Sequence, residues 1–475
     1  MYLRNEIEPF LSSLSKSEHI DMADASKQNL CSFLAIQKFS MPTLHEQLVE
    51  EGFSSIKMMS PHVLYSLNKM ISHLYPSMQQ SENYIDRENA IYVKNQRNQA
   101  LLGKSEEGPA SIMVTLDKSM LEKPAIFKEL LQSGMTIARI NLAHDYSDWK
   151  SLVEGIRTAE KALVLDKQNR KCKIYMDLPG SKIRVGDFKN KVTLKVKEDD
   201  ILRIYKSDHY LGEAENKEGP ASIGLTIPEA LKNVRPDDRV FFDDGNICAV
   251  VIEVNDSYLE VRIMLTRKKK AYIKPQQGVN FPDSLVHLNV PAIREKDLNI
   301  LSEVMPYVDL IGISFIHQPN DIRILKRYLD QYTDKEIGII AKIETKQALL
   351  SLSKIILEGL NLDLFGVMIA RGDLAIEIGY EQLAKAQEGI LQICQAAHVP
   401  VIWATSVLHQ LNKKGIPSRA ELTDAFMGLR ADCIMMNKGP YVSSTIKFLQ
   451  NFNQINKDSL LAYRSSVLSF AQYGF

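Results

Sequence analysis

Between residues 111 and 438, eight short apolar runs alternate with amphipathic stretches, and this alternation constrains the fold more than any other feature of the chain. The runs are 111–116, 136–142, 173–178, 308–315, 337–343, 364–370, 400–405 and 433–438. Several, such as IGIIAKI (337–343) and LFGVMIA (364–370), are almost continuously apolar instead of alternating. That pattern fits parallel strands covered on both faces. Helical spacing of apolar residues falls between them, at 121–133, 319–330, 345–357, 381–397, 420–430 and 441–452. Strands alternating with crossover helices build a parallel sheet, and eight such units predict an α/β fold of the TIM (β/α)8 barrel type.

One connection is too long for a strand-to-helix loop. Residues 187–277 contain VTLKVK, ILRIYK, DRVFFDDG, ICAVVIEV and YLEVRIML, with Asp-, Gly- and Asn-rich turns between them. Strict alternation marks half-buried antiparallel strands, so a β-rich domain is expected here, inserted at the active-site end of the barrel as a lid. The expected organisation is an N-terminal helical lobe (1–107), a barrel (108–186 and 278–475) and the lid (187–277). Within the lobe, Thr43-Leu-His-Glu46 has the form of a capping box, and Ser60-Pro61 opens a helix carrying Val63, Leu64, Leu67, Met70, Ile71 and Leu74 on one face. The polar stretch 81–108 reads as a surface helix and linker.

Composition excludes several classes. The chain has 58 Lys+Arg against 58 Asp+Glu, where a dedicated nucleic-acid binder needs a basic surplus. No run approaches the ~18 apolar residues of a membrane span, and the start MYLRNEIEPF lacks the form of a secretory signal. Cys31, Cys172, Cys248, Cys394 and Cys433 are dispersed, with no CxxC. Such spacing predicts reduced thiols in a cytoplasmic protein, not a disulfide framework or a zinc site.

Catalytic side chains of a TIM barrel sit at the C-terminal ends of its strands. Those positions hold Arg139, Asn141, Asp177, Ser314, Lys342, Glu344, Asp373 and Thr405. Glu344 and Asp373 follow adjacent strands with no His or Cys cluster beside them. An oxygen-only set with few protein ligands suits Mg²⁺ or Mn²⁺ that also binds substrate oxygens. Lys342, two residues before Glu344, shares its inward face and requires an anionic partner, such as a phosphoryl or enolate oxygen. Each piece also has a plainer reading: a Lys-x-Glu ion pair, an Asx turn at Arg371-Gly372-Asp373, a tight turn at Asp177-Leu-Pro-Gly180, a β-branched strand residue at Thr405. Their joint occurrence at successive strand ends favours a catalytic centre.

The segments ARINLAHD (138–145), MDLPGSKIRVG (176–186), FFDDG (241–245), GVNFPD (278–283), IGISF (311–315), IIAKIET (339–345), VMIARGDLAIEI (367–378), PVIWAT (400–405) and PSRAELTD (417–424) give the chain a specific resemblance to the pyruvate kinase family. The resemblance implies phosphoryl transfer between phosphoenolpyruvate/pyruvate and ADP/ATP. It also implies a barrel with a β-rich lid. Glu344 and Asp373 match the family's metal ligands, and Lys342 the lysine that stabilises the phosphoryl group and then the enolate, with Arg139 adding charge. Thr405 matches the threonine near the enolate carbon. The backbone at Arg371, Gly372 and Asp373, with Ser314, matches the substrate site. Asn141, His144, Arg184 and Asp244 match positions near the nucleotide.

Departures from the family pattern carry their own expectations. Ala143, Leu178 and Lys182 replace residues around the family's K⁺ site, so the Lys182 ammonium is expected to stand in for the ion beside Asp177, and K⁺ not to be required. Gln277 replaces a lysine before GVN, and Asn437-Lys438-Gly439-Pro440-Tyr441 replaces a phosphate-side loop. The 35 residues after Pro440 leave no room for the family's usual C-terminal effector domain. A homo-oligomer is compatible with this reading, and nucleic acid and membrane partners are not expected. The same Lys342, Glu344 and Asp373 would also serve Mg²⁺-dependent enolate chemistry, such as oxaloacetate decarboxylation or an aldolase-like cleavage, and the fold could alternatively be retained by a binding or regulatory protein.

Overall fold

The computed structural model describes residues 2–17, 19–37, 56–76, 84–103, 110–143, 146–167, 170–189, 193–215, 219–284 and 290–464. The expected capping box at Thr43–Glu46 therefore lies outside the described residues, as does His144.

Three strands precede the insertion: β1 (Ser111–Thr115), β2 (Ile137–Asn141) and β3 (Lys173–Asp177). The insertion holds β4 (Leu194–Val196), β5 (Ile201–Tyr205), β6 (Ala221–Ile223), β7 (Arg239–Phe242), β8 (Ile247–Val254), β9 (Tyr258–Thr266), β10 (Ala271–Ile273) and β11 (Val279–Asn280). After it come β12 (Leu310–Ile313), β13 (Gly338–Ile343), β14 (Phe365–Ala370), β15 (Val401–Ala404) and β16 (Cys433–Met436). β1, β2, β3 and β12 to β16 close into a parallel barrel in chain order, with β1 pairing both β2 and β16. Every residue of β12 to β16 is buried, in line with their continuous apolar character. The eight apolar runs all fall on these eight strands, within three residues at each end.

The lid has its own core. β5 to β9 and β11 form a six-stranded sheet, and β10 pairs with β4. Alternating residues of β5, β8 and β9 pack inward with Phe242 and Phe281, while their neighbours face outward.

The helical reading needs three corrections. The stretch 345–357 is two helices, Lys346–Leu350 and Leu352–Gly359, with Thr345 capping the first by accepting from Ala348 N at 3.0 Å. A helix over Trp149–Leu165, absent from the expected set, links β2 to β3. The polar stretch 81–108 is more than a surface helix. It contains a helix over Arg87–Leu102 whose last residues, Leu101 and Leu102, are buried under the barrel with Met113, Ile137 and Tyr175. Leu101 lies so close to Gly338 and Gly366 that a Cβ on either glycine would come within 2.8 and 2.6 Å of it. Apart from Ala90 only the final turn is buried, so no helical stripe of apolar residues announces the role.

The rest of the lobe docks on the barrel through buried polar contacts. Asp24 caps the helix Ala25–Ile36 by accepting from Ser26 N and Lys27 N. Asn29 donates to Ser60 O (2.7 Å) and Ala396 O (2.8 Å) and accepts from Val63 N (2.7 Å). His398 accepts from the Ser26 hydroxyl at Nδ1 and donates to Pro61 O from Nε2, both at 2.8 Å. Lys94, on the Arg87–Leu102 helix, adds bonds to Val399 O and Asp432, each at 2.6 Å.

Candidate active site

At the C-terminal mouth of the barrel, beneath the lid, a cleft of about 550 Å³ is lined by residues from β2, the loop after β3, β13, β14, the end of β15, β16 and the lid. Arg139, Asn141, Lys182, Arg184, Asp244, Ser314, Lys342, Glu344, Arg371, Gly372, Asp373 and Thr405 all face it. Strand register explains the convergence. Asn141 pairs with Asp177, and Asp177 with Gly312, which brings the ends of β2, β3 and β12 to one level.

Asp177 is the buried hub. Its carboxylate accepts from Arg139 Nε at 2.7 Å and from the Tyr175 hydroxyl, and Lys342 Nζ lies 3.4 Å away. Arg139 also donates to Thr115 Oγ1 at 2.8 Å. Burial works against the ionised form of Asp177, but Arg139 and Lys342 outweigh it and hold the carboxyl below its ordinary range.

Lys342 Nζ donates to Ser314 Oγ (2.8 Å) and to Glu344 Oε1 (2.9 Å). Burial disfavours its charge, yet Asp177 and Glu344 keep it protonated and raise its pKa. Glu344 Oε2 accepts from Phe315 N at 2.7 Å, so backbone and lysine together fix that carboxylate. Burial pushes Glu344 above the ordinary range against the pull of Lys342.

Lys182 departs from expectation. Its ammonium does not reach Asp177; it donates to Asp373 Oδ1 at 2.8 Å and lies 3.5 Å from Asp244 and 5.9 Å from the centre of the Phe315 ring. Asp177 is turned into the barrel and occupied by Arg139 and Tyr175, whereas the loop after β3 carries Lys182 across the cleft to the end of β14. The pull of Asp373 and Asp244 overcomes burial and raises the Lys182 pKa.

The side chain of Arg371 supports the cleft wall. It donates to Ala404 O (2.7 Å) and Thr405 O (2.6 Å), pairs with Asp424 and stacks 4.6 Å over the Trp403 ring. The helix Arg371–Ile378 starts here, and Gly372 leaves room for Thr405, whose Cγ2 would stand 3.2 Å from a Cβ at that position. Thr405 is held at φ +74°, a left-handed backbone that costs a β-branched residue about 1–3 kcal/mol. Asn141 Oδ1 accepts from Ala143 N (3.1 Å), and Arg184 donates to Gln276 O (2.9 Å) at the cleft edge. Gln277 turns into the lid, where it bonds Tyr272 O (3.1 Å) and Lys274 N (2.8 Å). Lys438 pairs with Asp117 at 2.5 Å.

Tyr175 and Asp424 were not among the expected site residues. Tyr175 precedes Asp177 by two on the same strand, hence the same face, so the spacing was available. Asp424 closes the PSRAELTD segment, but nothing local signals its pairing with Arg371.

Among the described residues no group of three or more His, Cys, Asp or Glu could hold a metal. Glu344, just after β13, and Asp373, in the first turn of the helix after β14, are a two-carboxylate set that fits a hard divalent cation completing its shell with substrate oxygens and water. No described helix is long and apolar enough to cross a membrane.

The family model described as "Pyruvate kinase, barrel domain" matches residues 108–443. Among curated relatives, the pyruvate kinase of Hypocrea jecorina is 30% identical over 345 residues, covering 71% of this chain and 60% of that protein. The pyruvate kinase of Corynebacterium efficiens is 30% identical over 338 residues, covering 70% and 65%. That of Geobacillus stearothermophilus is 31% identical over 298 residues, covering 62% and 47%. The matched part of the chain thus spans less than two thirds of the length of these relatives.

Proposed function

The chain belongs to the pyruvate kinase family, and on that premise we propose that it transfers the phosphoryl group of phosphoenolpyruvate to ADP, giving pyruvate and ATP in the cytoplasm. The observation that carries this reading is the convergence of Lys342, Arg139, Glu344 and Asp373 on one cleft under a lid. Phosphoryl transfer asks a protein mainly for positioning and charge neutralisation.

Glu344 and Asp373 would hold Mg²⁺ or Mn²⁺, which when bound supplies charge neutralisation at the phosphoryl and carboxylate oxygens. Lys342, kept cationic and oriented by Ser314, faces the transferring group and then the enolate oxygen. Arg139 is fixed by Asp177 and Thr115 to add a second cation. The backbone at Gly372 and Asp373 receives the substrate carboxylate, and Thr405 borders the enolate carbon. Asn141, Arg184 and Asp244 border the nucleotide end, where the lid excludes water.

K⁺ is not required in this reading. The Asp177 carboxylate is already occupied by Arg139, Tyr175 and Lys342, Asn141 Oδ1 by Ala143 N, and neither Ala143 nor Leu178 offers a side-chain oxygen. A several-fold rise in activity on adding K⁺ to a K⁺-free, tetramethylammonium-buffered assay would count against it.

The deciding experiment is a coupled assay with phosphoenolpyruvate, ADP and Mg²⁺, beside Lys342→Met. Pyruvate formation that depends on ADP and collapses in the variant is expected; formation no faster than in the variant overturns the reading. The inward turn of Gln277, which leaves the nucleotide side with fewer cations, favours a second reading: Mg²⁺-dependent enolate chemistry on a pyruvate-like acid. Pyruvate released from oxaloacetate without ADP would identify it.

A further inference from the structure

Each carboxylate assigned above to the divalent cation already carries an ammonium. Lys342 Nζ stands 2.9 Å from Glu344 Oε1, and Lys182 Nζ stands 2.8 Å from Asp373 Oδ1. The lysine side chains are only 9% and 18% exposed, so water screens these pairs weakly. Two carboxylates against two ammoniums leave no net negative charge at the point where a free dication would have to bind. Lys182 has a second partner within reach, since Asp244 of the lid lies 3.5 Å away and is 72% exposed.

We propose that Lys182 is a built-in competitor for the divalent cation at Asp373, so that the metal binds weakly alone and tightly only together with an anionic substrate. The inference rests on Glu344 and Asp373 being the metal ligands, as proposed above. A substrate bearing a phosphate and a carboxylate restores the negative charge that the two lysines cancel. With the metal on Asp373, Lys182 moves toward Asp244, which ties the lid to the loaded cleft. Linkage requires the effect to be mutual: the factor by which substrate tightens metal is the factor by which metal tightens substrate.

The test is Mn²⁺ binding, followed by the electron paramagnetic resonance signal of free Mn²⁺ with and without phosphoenolpyruvate. For the unaltered chain, phosphoenolpyruvate should tighten Mn²⁺ by at least about 10-fold. In Lys182→Met, Mn²⁺ alone should bind about 10-fold more tightly and the tightening by substrate should shrink by the same factor. Lys182→Arg, which keeps the charge, should behave like the unaltered chain and separates competition from damage to the fold. Asp244→Asn should reduce the tightening while leaving Mn²⁺ alone weakly bound. Equal Mn²⁺ affinity in Lys182→Met and the unaltered chain overturns the proposal. If Mn²⁺ binds to neither even with phosphoenolpyruvate, the ligand assignment itself falls, an outcome distinct from the first.

Discussion

The Tyr175 hydroxyl donates to Asp177 inside the barrel, and Gly312 opposite them has no side chain because there is no space for one. A Cβ on Gly312 would lie 2.0 Å from Tyr175 Oη and 2.6 Å from Asp177 Oδ1. The phenol completes the donor set of a fully buried carboxylate that orients both Arg139 and Lys342. Tyr175→Phe leaves that carboxylate one donor short, at a cost of about 1–3 kcal/mol. Urea unfolding should show this loss, and kcat in the coupled assay should fall by roughly 10-fold as Arg139 and Lys342 lose their fixed geometry.

Gly312→Ala attacks the same contact by overfilling it. Overpacking a close-packed interior costs typically about 1–3 kcal/mol, and here the intruding methyl would part Tyr175 from Asp177. Loss of activity should accompany the drop in melting temperature. A variant with unchanged activity would show that the Tyr175–Asp177 bond does not matter to the cleft.

His398 makes lobe docking sensitive to acid. Burial, with Arg97 and Lys94 nearby, lowers its pKa from 6.5 to about 4, although its bond to Pro61 O and the charge of Asp24 pull the other way. The unfolded state therefore binds the extra proton first. The stabilisation is complete above pH 6.5, is lost as pH falls from 6.5 toward 4, and amounts to about 3 kcal/mol. Unfolding measured across that window should show this slope, and His398→Gln should flatten it. An unaltered slope in the variant would assign the acid sensitivity to other groups.

Arg371 and Asp424 form a forked pair under Thr405. Lysine cannot reproduce the two-pronged contact or the stacking on Trp403. Arg371→Lys should lower kcat/KM for phosphoenolpyruvate by about 10-fold or more, through displacement of the Thr405 backbone that it holds. An unchanged value would make the arginine a structural strut with no influence on the site.

The barrel was legible because buried parallel strands leave continuous apolar runs, and the lid because a half-buried sheet leaves alternation. The strand-end residues were legible for the same reason: once the strands are placed, their last inward positions follow. Side chains on loops were not. Lys182 and Asp177 are five residues apart in the chain, yet the ammonium lies on Asp373, because the path of the loop, not the strand period, decides its reach. Leu101 leaves no such signal, since one buried turn on a polar helix has no periodicity to read. Spacing puts Tyr175 on the face of Asp177, but only the fold shows that its hydroxyl bonds that carboxylate.

Leu101 seals the floor of the barrel from a helix that precedes the first strand, wedged against Gly338 and Gly366. Leu101→Ala should cost about 2–5 kcal/mol in urea unfolding by opening a void there. The segment ending at Gly103 thus works as a stopper in a bottle, not as a label on its side. Trimming the protein to its matched barrel alone would uncork it, so any exchange or shortening of the front of this chain must supply another plug.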